Sequence, residues 1–88
     1  MDILKRASAG TMESSDAYVE IEPSDCLEIQ LESVVMKQFG EAIQASVAEV
    51  LASCGVTKAT VRVVDRGALD CVIRARVETA VLRGREEV

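Results

Sequence analysis

The chain has 88 residues, 49% of them hydrophobic and only 2% aromatic, with three cysteines, no histidine and a formal net charge of −5. That length allows one small core near the lower size at which no staple is needed, and the core must be aliphatic. The scarcity of aromatic side chains (Tyr18 and Phe39) argues against a pocket built on aromatic stacking. Residues 1–32 hold eight acidic side chains against Lys5 and Arg6, a local balance of −6, whereas residues 33–88 hold seven acids and eight bases, +1. An acidic front half repels nucleic-acid phosphates and suits basic rims on partner proteins.

Residues 1–6 read as a loosely held arm with no apolar run of the kind a secretory signal needs, and no stretch is apolar enough to span a bilayer. Cys26, Cys54 and Cys71 are odd in number, widely spaced and lack the Cys-x-x-Cys of a metal site, so the expectation is buried, reduced thiols in a cytoplasmic protein. Ala7 to about Glu13 can be extended, bent at Gly10. Tyr18–Glu22 alternates, with Val19 and Ile21 on one side, as a half-buried strand does. Pro23-Ser24-Asp25 turns the chain into Cys26–Glu32, which alternates with Leu27, Ile29 and Leu31 inward. The first third therefore predicts a three-stranded meander.

A long helix is expected over about 33–54, capped by Ser33, with Met36, Phe39, Ile43, Val47, Val50 and Cys54 as its core stripe, Leu51 widening it and Gly55 ending it in a left-handed conformation. Phe39 is the largest side chain of that stripe and the expected core anchor. Ala59–Asp65 is rich in β-branched residues and predicts a fourth strand; Arg66-Gly67-Ala68 turns; Leu69–Arg83 predicts a second helix with Leu69, Ile73, Val77 and Ala80 on one face. Residues 84–88 carry no packing signal. The fold class is α+β: a small two-layer sandwich in a single domain over residues 1–88. Its mixed four-stranded sheet, the three-strand N-terminal meander plus one strand, is covered on one face by two helices.

Between the first two strands lies Ala9-Gly10-Thr11-Met12-Glu13-Ser14-Ser15-Asp16. Ser-Ser-Asp is turn chemistry, and a loop-tip hydroxyl suits modification by another enzyme better than nucleophilic catalysis, which needs a base beside it. As a turn serine Ser14 is explained by backbone needs alone, and Glu13 and Asp16 as solvated carboxylates or as charges read by a partner's basic patch. Arg62, Arg66, Arg74 and Arg76 are either the charged sides of their elements or contacts for phosphates; Arg74 and Arg76 point to different sides of a helix and cannot serve one ligand.

The Ala9–Asp16 segment resembles the prosthetic-group segment of the citrate lyase acyl carrier protein, or gamma subunit. Lys37-Gln38-Phe39-Gly40-Glu41-Ala42-Ile43 and the run from Asp65 to Arg76 extend the resemblance at consistent spacing over nearly the whole chain. The Asp-Ser-Leu signature of fatty-acid carriers is absent. The resemblance implies a carrier without catalytic residues or a metal. In that family the serine after Thr-x-Glu holds a phosphoribosyl-dephospho-CoA arm by a phosphodiester; Ser14 stands there, with Ser15 as its competitor. The arm carries acetyl and citryl thioesters while citrate is cleaved to acetate and oxaloacetate. The implied partners are the alpha (acyl transferase) and beta (citryl lyase) subunits and a prosthetic-group transferase, with neither nucleic acid nor membrane. A carrier for a malonate decarboxylase system and an unmodified adaptor domain are the alternatives.

Overall fold

A computed structural model describes residues 3–86. Four strands, β1 (Ala7–Gly10), β2 (Ala17–Pro23), β3 (Leu27–Ser33) and β4 (Ala59–Asp65), form one mixed sheet, with helices α1 (Met36–Ser53) and α2 (Asp70–Arg85) packed on it. The α+β class, the four strands and the two helices agree with the sequence.

The strand order does not. It is β1-β2-β4-β3, so the first three strands are not a meander: β4 runs between β2, antiparallel to it, and β3, parallel to it. Alternation in β2 and β3 is the same whether they pair with each other or with a third strand, so it could not reveal the insertion. The deciding strand is β4, where Val63 and Val64, consecutive and therefore on opposite faces, are both buried. With the helices on one face only, Val64 is buried on the other between its register partners, Tyr18 of β2 and Glu32 of β3, as the central position of β4 allows. β3 is left at the edge, with Leu27 exposed and Ile29 and Leu31 half-buried.

Val19, Ile21, Val61 and Val63 sit opposite one another in register and make the floor of the core. Ile43, Val47 and Leu51 from α1, and Ile73, Val77, Ala80 and Val81 from α2, close it from above. Apart from the buried Val64, the other face of the sheet is mostly polar: Glu20 pairs with Arg62, Glu22 with Thr60, and Arg6 bridges to Glu20 at 2.8 Å.

Four further expectations are corrected. Phe39 is 57% exposed, because the buried stripe of α1 runs through Gly40, Ile43, Ser46, Val47 and Leu51, rotated away from Met36 and Phe39. Ser33 does not cap α1; its hydroxyl is engaged by Asp65, and Val35 is the cap residue. The ends are less loose than expected. Ile3 is 5% exposed, the Leu4 and Lys5 amides both donate to the Gly84 carbonyl, and α2 continues to Arg85; Met1, Asp2, Glu87 and Val88 lie outside the described residues. Gly84 admits this because a Cβ there would crowd Ile3, Ile21 and the Lys5 carbonyl. Cys26 and Cys71 are exposed and Cys54 half-buried, so the thiols are free but not core residues.

Gly55 ends α1 as expected, at φ +73, with the Val56 amide donating back to the Leu51 carbonyl. The Arg85 guanidinium adds a hydrogen bond to the Cys54 carbonyl, which ties the end of α2 to the end of α1.

Candidate functional site

The Thr11–Asp16 loop joins β1 to β2 at one end of the sheet. Gly10 starts it at φ +90, where a Cβ would run into the Ala17 carbonyl. The Asp16 amide donates to the Glu13 carbonyl at 3.2 Å, closing a four-residue turn with Ser14 and Ser15 at its corners. Ser15 has φ +67, the sign a type II turn requires at its third position. Both serines are exposed, and among the described residues no hydrogen bond engages either hydroxyl.

The backbone beneath the turn is fixed. The Ser15 amide donates to the Arg66 carbonyl and the Arg66 amide to the Asp16 carbonyl, each at 2.9 Å, so the β2–β4 pairing extends one step into the loop. Asp16 is not a solvated carboxylate. It accepts from Thr11 Oγ1 at 2.7 Å, from the Ala17 amide at 2.7 Å, and from Arg76 Nε and Nη2 at 3.1 Å each. The Thr11 hydroxyl, the Ala17 amide and the Arg76 guanidinium, in that order, lower its pKa to about 2. Thr11 Oγ1 in turn accepts from the Glu13 amide at 3.2 Å. Glu13 itself stays on the surface.

The arginines separate as their helical spacing requires. Arg76 holds Asp16. Arg74 faces α1, with Asp70 Oδ2 at 2.8 Å, Ser46 Oγ at 3.3 Å and Glu49 Oε2 at 3.3 Å. The Ser46 hydroxyl and then Arg74 hold the Asp70 carboxyl below its ordinary pKa. Arg66 is exposed and forms no ion pair among the described residues, although its backbone is bonded to the serine turn.

Sequence reasoning missed Asp65. At 1% exposure, its Oδ2 accepts from Ser33 Oγ at 2.7 Å, and its Oδ1 from the Gly67 and Ala68 amides at 3.2 and 2.9 Å. One carboxylate thus organises the β4–α2 loop, on which the serine turn rests, and the β3–α1 connection. The available signal was an aspartate at a strand end followed by Arg-Gly-Ala, where a side chain can bond backbone amides two and three residues on. Beside this loop, between the N-terminal turns of α1 and α2, lies an apolar groove of about 270 Å³, walled by Val35, Phe39, Ile43, Leu69 and Ile73.

A family model described as "Malonate decarboxylase delta subunit (MdcD)", of the acyl carrier protein type, matches residues 4–84. The "Citrate lyase acyl carrier protein" of Haemophilus influenzae (strain PittEE) is 56% identical over 99% of this chain and 92% of its own length. The chain belongs to the citrate lyase acyl carrier protein family. The relative of the same name from Escherichia fergusonii is 51% identical over 99% of this chain and 92% of its own length. Among solved structures, a chain of the "Crystal structure of a Pseudomonas malonate decarboxylase hetero-tetramer in complex with malonate" shares the fold, with TM-score 0.80 and 24% identity over 91% of this chain and 84% of that one. Acyl carrier proteins of this family carry a covalently attached prosthetic group; the Glu13–Asp16 turn of this chain offers two solvent-reachable hydroxyls on a hydrogen-bonded backbone, and among the described residues no side chain is bonded to either. Among the described residues no helix is long and apolar enough to cross a membrane, and no cluster of His, Cys, Asp or Glu is arranged to hold a metal.

Proposed function

We propose that this chain is the carrier subunit of a citrate lyase, itself non-catalytic, with a phosphoribosyl-dephospho-CoA arm joined to Ser14 by a phosphodiester. When bound, the arm supplies a thiol that holds acetyl and citryl groups as thioesters during cleavage of citrate to acetate and oxaloacetate. The observation that carries this reading is the Glu13–Asp16 turn, which presents Ser14 as the residue after Thr-x-Glu and fastens everything beneath it. The protein's own task is positioning. A tether on a rigid mount keeps its cargo at high effective concentration near the sites it visits. Arg66, exposed beside the turn, supplies a cation for the phosphodiester.

The partners on this reading are the alpha and beta subunits of the lyase and the prosthetic-group transferase, in the cytoplasm. The acidic front half complements basic rims on them. A malonate decarboxylase-type carrier is the second reading, favoured by the family model's description; the relatives above 50% identity favour citrate lyase.

Intact mass of the protein from its own host, with the modified peptide mapped, tests the assignment. The expected result is one added arm on Ser14, lost in Ser14→Ala and kept in Ser15→Ala. The reverse pattern moves the site to Ser15, and an unmodified mass establishes the adaptor reading instead.

A further inference from the structure

Phe39 is the chain's single phenylalanine, yet it lies 57% exposed on one wall of the groove, while Leu69, 71% exposed, stands on the other. Neither position is explained by the core, which α1 and α2 complete through Ile43, Val47, Leu51, Ile73 and Val77. Large apolar side chains left open around a formed cavity mark a place for a ligand or partner. The groove's rim includes Asp65 and Ala68. Those residues flank the stretch whose Arg66 carbonyl takes the Ser15 amide. The groove and the serine turn therefore share one short loop, so anything tethered to the turn is held beside the groove at high effective concentration.

We infer that the groove is the resting site for the nucleobase of the covalent arm, with the ring laid against Phe39; this rests on the carrier reading above. Its size decides which part of the arm fits. At about 270 Å³ it falls at the small end of ligand cavities, room for a ring system and not for an extended chain with its phosphates. Its charge decides the same way. Its lining contains no lysine or arginine to pair with a pyrophosphate, and its two carboxylates, Asp65 and Asp70, are already bonded to Ser33, Ser46, Arg74 and backbone amides, whereas an uncharged base with amino hydrogens is tolerated. A composition poor in aromatics rules out a two-ring stacking clamp, but a single aromatic wall in an aliphatic groove still gains from a flat partner. Parking the base there leaves the pyrophosphate and thiol end in solvent, directed away from the carrier and toward partner sites.

The test compares NMR spectra of the unmodified and arm-bearing protein, each first verified by intact mass. Phe39 ring and Leu69 and Ile73 methyl signals should shift on modification several-fold more than those of Leu82 and Leu27, which are exposed elsewhere. Phe39→Ala, taken in the arm-bearing form confirmed by intact mass, should abolish the Leu69 and Ile73 shifts. Cleaving the arm at its pyrophosphate, which leaves the base on the protein, should preserve them; their loss on cleavage would assign the groove to the thiol end and overturn the nucleobase assignment. A correct mass with silent groove signals overturns this inference alone. An unmodified mass overturns the carrier reading and this inference together.

Discussion

Arg76 on α2 grips Asp16 at the β2 entrance by both carboxylate oxygens, at 3.1 Å each, across 60 positions of sequence. The pair joins the second helix to the loop that carries the two serines. A planar guanidinium on a carboxylate fixes orientation as well as distance.

Arg76→Ala should therefore loosen the turn rather than unfold the protein. Attachment of the arm to Ser14 should slow on the order of 10-fold, since small misplacements of an acceptor group cost rate steeply. Arg76→Lys should recover only part, because a lysine cannot hold both oxygens. The measurement is the initial rate of arm incorporation by mass spectrometry, with circular dichroism as the control for folding. Equal rates in wild type and Arg76→Ala would show that the mount does not matter to the transferase.

The same contacts predict an acid limb. Asp16 titrates at about 2 in the fold against an ordinary 3.8, so the folded state favours its charged form. The resulting stabilisation is complete above about pH 4 and disappears as pH falls through 2. Asp16→Asn should be less stable than wild type at pH 7, and the gap should close between pH 4 and 2. Glu20 and Asp70 are lowered too, but they titrate alike in both proteins and drop out of the difference. Urea denaturation across pH 2–7 measures it; a gap independent of pH would mean that Asp16 acts by shape, not charge.

The phase of α1 gives a paired test. Leu51→Ala should destabilise the protein by about 2–5 kcal/mol, since Leu51 is fully buried. Phe39→Ala should cost less than about 1 kcal/mol, because the ring is mostly in solvent. Chemical denaturation of the two variants decides it, and a larger loss at Phe39 would restore the ring to the core.

Gly10 should accept no side chain. Gly10→Ala meets both a positive φ and the Ala17 carbonyl, and should cost about 2 kcal/mol or more while distorting the start of the serine loop. A variant of unchanged stability, with unchanged arm incorporation, would show that the β1–β2 turn can relax there.

By itself the sequence determined the elements and the place of the turn. Alternation in β2 and β3, the β-branched run of β4, and Gly55 as a left-handed stop are local signals, written within a few residues, and they placed Ser14 and Ser15 in a turn between two strands. It also separated Arg74 from Arg76, because helical spacing alone puts them on different sides. Tertiary structure decided what depends on competition between distant segments. Whether β2 pairs with β3 or with β4 depends on where β4 enters the sheet, and its insertion between them, which buries Val63 and Val64 on opposite faces, appears only when the sheet assembles. The helix stripe could be read with Met36 and Phe39 inside because a wide apolar face permits two phases; the sheet beneath selects the one through Ile43, Val47 and Leu51. Asp16 looked like a turn residue and Asp65 like a plain strand end because their partners, Arg76 and Ser33, stand 60 and 32 positions away, and hydrogen bonds over such spans leave no periodic trace in the chain.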